Sequence, residues 1–131
     1  MSTIVRNNLP LMPKILCVDD KPINLELLRA ILSPRGYDVV SAISGAVALE
    51  VIRTERIDLC LLDAMMPELD GFEVCRLIKS DKEHKNIPVI IITAYGMEKR
   101  IQAVESGADD FITKPFNNGM LLASMSMLLH A

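Results

Sequence analysis

The sequence predicts an α/β fold: a doubly wound parallel sheet of five strands in the order 2-1-3-4-5, with helices on both faces. Three observations predict it. Strand-like and helix-like segments alternate five times along the 131 residues, which implies right-handed crossovers and a parallel sheet. The strand-like segments are short continuous apolar runs, as strands buried on both faces are. Half of the residues are hydrophobic while Trp is absent and Tyr and Phe number two and three, so the core is aliphatic. That length makes one domain, with residues 1–13 as an N-terminal extension and 14–131 as the folded unit.

The first strand covers residues 14–18 and leads to a helix at about 22–33. Pro22 suits its first turn, Leu25, Leu28, Ile31 and Leu32 make its apolar stripe, and Gly36 marks the exit. Residues 37–42 are less uniformly apolar, which suits an edge strand, and a second helix follows at 45–54 with Val47, Leu49, Val51 and Ile52 available to the core. The third strand is 58–62. A loop over 63–69 then leads to a helix whose Asp70 and Glu73 have the spacing of an N-terminal capping pair. Asn86-Ile87-Pro88 opens the fourth strand, which ends on Thr93, and residues 97–106 read as a charged amphipathic helix closed by Gly107. Asp109 begins a short fifth strand ending at Thr113, and residues 116–129 form the last helix. The first, third and fourth runs are the most apolar and belong in the middle of the sheet, which puts the topological switch point between strands one and three.

Composition excludes several functions. A net charge of −3 with acids and bases intermixed gives no basic stripe for nucleic acid and no electrostatic membrane anchor. No apolar run reaches the ~18 residues that a membrane span needs. The start lacks the pattern of a secretory signal, so the expected location is the cytoplasm. Three cysteines without CxxC spacing read as reduced, buried residues.

What remains is chemical. Four apolar runs each end on residues that handle phosphate or a divalent metal: Asp19-Asp20, Asp63, Thr93 and Lys114. Ligands of open parallel sheets bind beyond the carboxyl ends of the strands, so these side chains meet at one edge. Three carboxylates brought together repel one another unless a cation joins them, and oxygen-only donors suit Mg²⁺. A Thr and a Lys aimed at the same place can contact a phosphoryl group, whose transfer depends on positioning and charge neutralisation. One Asp can act as the nucleophile. Taken singly, each residue has a plainer reading as a turn residue, a helix cap, a strand-end hydroxyl or a solvated lysine. It is the four in order that point to phosphoryl chemistry.

The chain resembles the receiver (CheY-like) domain of two-component response regulators from about residue 14 to 131. The matching motifs are Asp19-Asp20, Asp63-Ala64-Met65-Met66-Pro67-Glu68-Leu69-Asp70-Gly71, Thr93-Ala94, and the run from Gly107 through Lys114-Pro115 to Phe116. The resemblance implies the flavodoxin-like (βα)5 form of the predicted fold. It makes Asp63 the phosphoacceptor, supplied by a histidine kinase or a histidine phosphotransfer protein. Mg²⁺ would be held by Asp20 directly, by Asp19 partly through water, by Asp63, and by the backbone carbonyl of Met65. Lys114 would pair with the phosphoryl oxygens, and its bond to Pro115 would be cis. Thr93 and Phe111 would be the switch pair that changes the surface of helix 4, strand 5 and helix 5, where an effector domain, an effector protein or a second copy binds. The resemblance implies a signalling switch and not an enzyme, its only chemistry being autocatalytic phosphoryl transfer. His84 and His130 are expected to be neither phosphodonor nor ligand.

Other expectations come from this sequence alone. Of Met65 and Tyr95, two positions after Asp63 and Thr93, the first is apolar and the second large, which should hinder a hydrolytic water and slow self-dephosphorylation. The segment 116–129 has no charged residue but carries Met120, Met125 and Met127. Either Asn117, Asn118, Ser124 and Ser126 supply its polarity, or a Met-rich face meets a partner, and the arginines of the winged-helix transcription factor subgroup are missing. The segment 21–28 is similar to receivers in hybrid kinases and cyclic-dinucleotide regulators, and Met1 favours a stand-alone or N-terminal receiver. The rival readings are a small Mg²⁺-dependent phosphohydrolase, which lacks a general acid where Met65 stands, and a non-phosphorylated scaffold.

Overall fold

In a computed structural model the apolar runs become one parallel sheet in the order β2-β1-β3-β4-β5. The structure describes residues 12–94 and 96–130. The strands are β1 (Lys14–Val18), β2 (Asp38–Ala42), β3 (Leu59–Asp63), β4 (Val89–Thr93) and β5 (Asp110–Thr113). The helices are α1 (Pro22–Leu32), α2 (Gly45–Thr54), α3 (Gly71–Ser80), α4 (Arg100–Glu105) and α5 (Asn118–Leu129). Side chains alternate across a strand, so each central run feeds two cores. Leu16, Val18, Cys60, Leu62, Val89 and Ile91 belong to the layer that buries Ala48, Phe72, Ile78 and Ala103 of α2, α3 and α4. Ile15, Cys17, Leu59, Leu61, Ile90 and Ile92 belong to the other, with Leu25, Leu28 and Leu32 of α1 and Leu121 and Met125 of α5. The three cysteines are buried and free, as expected.

Several boundaries differ from the sequence reading, each for a local reason. Helix α1 ends at Leu32 and passes into a 3-10 turn over Ser33–Arg35, which Gly36 leaves at φ +89°. Asp58 stands outside β3 because its carboxylate clamps the neighbouring strand, accepting the Lys14 N–H at 2.7 Å. Asp109 likewise lies outside β5, its Oδ2 accepting the Val89 N–H at 2.8 Å. Helix α5 begins at Asn118 because Asn117 caps it, accepting from the Gly119 and Met120 N–H groups. In α2 it is Ala48, not Val47, that is fully buried. The close approach of α3 excludes a larger residue: a Cβ on Gly45 would sit 2.7 Å from Val74 Cγ2. The amphipathic segment 97–106 is a 3-10 turn over Met97–Lys99 and a six-residue helix, and of α4 only Ala103 is buried. Its Ile101 and Val104 are 70% and 66% exposed, so its apolar side faces outward.

Candidate phosphoryl and metal site

Local structure delivers each site residue to the carboxyl edge of the sheet. Asp19 follows β1, its N–H bonded to the Ala42 carbonyl at 3.1 Å, and Asp63 is the last residue of β3, in register with Ile92. Thr93 ends β4 and is fully buried. Lys114 follows β5, its N–H bonded to the Thr93 carbonyl at 2.7 Å, and its peptide bond to Pro115 is cis. The loop after Asp63 is pinched shut by the Gly71 N–H, which donates to the Ala64 carbonyl at 2.9 Å. Only glycine fits there, since a Cβ on Gly71 would lie 2.3 Å from the Asp63 carbonyl oxygen. Asp70 caps α3 by accepting the Glu73 N–H at 2.9 Å, half of the expected pair; the Glu73 carboxylate pairs with Arg76.

One carboxylate oxygen from each of Asp19, Asp20 and Asp63 lies within 4.8 Å of the others. The Lys114 ammonium sits between two of them, 3.4 Å from Asp63 Oδ1 and 3.5 Å from Asp19 Oδ2. Asp19 is further held by the start of α1: Oδ1 accepts the N–H of Lys21, just before the helix, at 2.9 Å, and Oδ2 accepts from Asn24 Nδ2 at 3.0 Å. Asp20 differs. Among the described residues its Oδ1 is buried without a hydrogen-bond partner, with the exposed Lys21 ammonium 3.8 Å away, beyond hydrogen-bond reach. Burial raises the Asp63 carboxyl above its ordinary 3.8 and the Asp19 charge raises it further, while Lys114 opposes both. A buried acceptor left unmatched among mutually repelling carboxylates is the donor set of a hard divalent cation such as Mg²⁺. Asp20 has the free oxygen to bind one directly, whereas both oxygens of Asp19 are already engaged.

The structure thus brings Asp19, Asp20, Asp63 and Lys114 together, with Thr93 on the adjacent strand end. Met65 lies in the loop two residues beyond Asp63 and is 41% exposed, while Tyr95 lies outside the described residues. Phe111 pairs in register with Ile91 and is half-buried against the core layer shared by α2, α3 and α4. His84 Nδ1 lies 2.8 Å from Asp81 Oδ2 in the loop before β4, and His130 is exposed beyond α5. Neither belongs to the site. Sequence reasoning missed Asn24, whose position five residues after Asp19 puts an amide in the first helical turn beside the strand end. It also missed an apolar groove of about 860 Å³ that opens from the site between α1 and α5, lined by Leu28, Ile31, Phe116 and Leu122 among others.

Known proteins resemble this chain in sequence and in fold. A family model described as the response regulator receiver domain matches residues 15–126. The response regulator PleD of Caulobacter vibrioides is 47% identical over 116 residues, covering 88% of this chain and 26% of PleD. The DNA-binding regulator RpaA of Synechocystis is 40% identical over 119 residues, covering 90% of this chain and 49% of RpaA. The chain therefore spans about half or less of the length of these curated relatives. Among solved structures, the response regulator TrrA of Thermotoga maritima in complex with Mg²⁺ and BeF superposes with a TM-score of 0.82 at 35% identity, covering 89% of this chain and 99% of TrrA.

Proposed function

The chain belongs to the response regulator receiver family, and from that premise we propose that it is a phosphorylation-driven switch in which Asp63 accepts a phosphoryl group from a phosphohistidine. The donor is a histidine kinase or a histidine phosphotransfer protein. The observation that carries this reading is the meeting of three carboxylates around an unpartnered Asp20 oxygen, with one ammonium between Asp63 and Asp19. An Asp63 carboxylate oxygen attacks phosphorus; the P–O bond forms as the P–N bond to the donor imidazole breaks, and the imidazole leaves with the electron pair. Lys114 neutralises the charge that gathers on the phosphoryl oxygens. Asp20, Asp19, Asp63 and the Met65 carbonyl would hold Mg²⁺, which when bound screens the incoming phosphoryl group from the carboxylates.

The output follows from the same edge. Thr93 moves toward the phosphoryl group, Phe111 turns inward, and the surface of α4, β5 and α5 changes. Ile101 and Val104 of α4 and Met120 of α5 already stand exposed there, which suits a partner-binding face for an effector or a second copy. A nearly complete switch requires ~5.5 kcal/mol of differential stabilisation between the two states. Incubation with acetyl phosphate and Mg²⁺ followed by intact mass tests the reading. The expected result is one stable addition that Asp63→Asn abolishes; continuous turnover favours the hydrolase and no addition favours the scaffold. The acyl phosphate is expected to be long-lived, because Met65 leaves a hydrolytic water no polar partner at its position. A lifetime of only seconds in the purified, Mg²⁺-loaded chain would refute that part.

A further inference from the structure

We infer that Asn24 is a positioning residue that fixes the Asp19 carboxylate and so keeps Lys114 shared between Asp19 and Asp63. The inference rests on the proposed Mg²⁺-dependent phosphoryl transfer and adds to it a residue outside the motifs. Asp19 is 3% exposed, so the orientation of its carboxylate is set by protein donors. Both donors come from the start of α1: the N–H of Lys21, the residue before the helix, on Oδ1 and the Asn24 amide nitrogen of its first turn on Oδ2. Opposite a carboxylate only the nitrogen end of that amide can be turned inward.

The consequence lies in the lysine distances. At 3.4 and 3.5 Å, Lys114 is nearly equidistant from Asp63 and Asp19, and each separation exceeds the 2.7–2.9 Å of a committed charge-assisted bond. Oδ2 of Asp19, already served by Asn24, has less need of the ammonium. An amide does this without adding charge, so Asp19 remains a full anion for the metal site. Without that donor, the nearest cation left to the buried Oδ2 among the described residues is Lys114, 3.5 Å away. The ammonium would close on Asp19, cancelling a carboxylate the cation needs and leaving Asp63 without its counter-charge.

The test is the Mg²⁺ affinity of the purified chain by titration calorimetry, read beside the rate of phosphorylation by acetyl phosphate. Asn24→Leu, which keeps the approximate shape and removes the donor, should weaken Mg²⁺ binding about tenfold, the scale of one hydrogen bond to a charged group, and slow phosphorylation. Asn24→Gln, which keeps an amide, should recover most of the loss. Because Asn24 acts through Lys114, adding Asn24→Leu to Lys114→Met should cost little further Mg²⁺ affinity, whereas a merely structural role would give the sum of the two single effects. If Asn24→Leu does not fold, Asn24→Ala decides in the same way. A wild-type chain that binds Mg²⁺ and is phosphorylated, with a folded donor-free variant within twofold of its affinity, overturns this inference alone. Additive effects in the double variant overturn it too. A wild-type chain that does neither overturns the proposed function as well.

Discussion

The two edges of the sheet use the same kinds of residue to opposite ends. At the amino edge, Asp58 and Asp109 each have their partners. Asp58 accepts the Lys14 N–H at 2.7 Å and the Arg56 guanidinium at 2.8 Å. Asp109 Oδ2 accepts the Val89 N–H and the Lys79 ammonium, both at 2.8 Å, and Lys79 also donates to the Ile87 carbonyl at 2.7 Å. At the carboxyl edge, two of the three carboxylates share Lys114, and among the described residues an oxygen of Asp20 is buried without a hydrogen bond. The first arrangement locks neighbouring elements together. The second holds an excess of negative charge that the fold itself does not answer, and that deficit is what a cation and a phosphoryl group can fill. Parallel strands make the division possible, since all amino ends lie on one side and all carboxyl ends on the other.

Substitutions should separate the two edges. The largest loss of stability is expected from Asp109→Ala, which strands the Val89 N–H and takes from Lys79 its counter-charge, leaving it the Ile87 carbonyl. A loss of about 2–3 kcal/mol is the scale for a charged hydrogen-bonding group, and denaturant unfolding measures it. Mg²⁺ affinity should be unchanged within the folded population. A fall in affinity to match would mean that the two edges are not independent.

At the other edge, removing a charge should do the reverse. The Asp63 carboxyl is held above its ordinary 3.8, chiefly by burial and then by Asp19, so the folded chain binds that proton more tightly than the unfolded chain does. Ionised Asp63 therefore lowers stability once the pH exceeds its folded value, and this penalty is absent below 3.8, where both states are protonated. In metal-free solution Asp63→Asn should melt above wild type near neutral pH, with the gap closing as the pH is lowered through that window. Thermal melts in a chelator check this, and a gap that ignores pH would contradict it.

The smallest effect on stability belongs to Met127→Glu. Met127 is 75% exposed and Met120, seven residues earlier on the same helix, is 64% exposed. Burying nothing, the change should alter stability by no more than ~0.5 kcal/mol. It should nonetheless weaken self-association or partner capture, measured by sedimentation and pull-down. Unchanged association would remove the case for a contact on that face.

The carboxyl edge was far more legible in the sequence than the amino edge. Asp19, Asp20, Asp63, Thr93 and Lys114 each close an apolar run, and parallel pairing turns that linear regularity into one location. The strand order was legible for a similar reason, since the most apolar runs had to lie inside. Asp109 carried no comparable signal: its partner Lys79 lies 30 residues away on α3, and the pair gathers only once α3 and the α4–β5 turn have packed. Asn24 was hidden because its role depends on how the first turn of α1 sits over β1. On α5 the sequence offered four residues as a polar face, yet Asn117 is used as the cap and Ser124 donates to Asp110. Of the four, Ser126 and Asn118 are left exposed without such a role, as Met120 and Met127 are.

The glycine at the start of α3 bears on the entropy of the site. By letting its own N–H reach the Ala64 carbonyl, Gly71 ties the two ends of the segment that carries Met65. A free loop loses conformational freedom when its ends are brought together, and that loss falls due whenever the closure occurs. Here it falls due during folding, before any ion or donor arrives. Whatever binds beside Asp63 meets a loop already shortened to its neck, and so spends less of its binding free energy on ordering the chain.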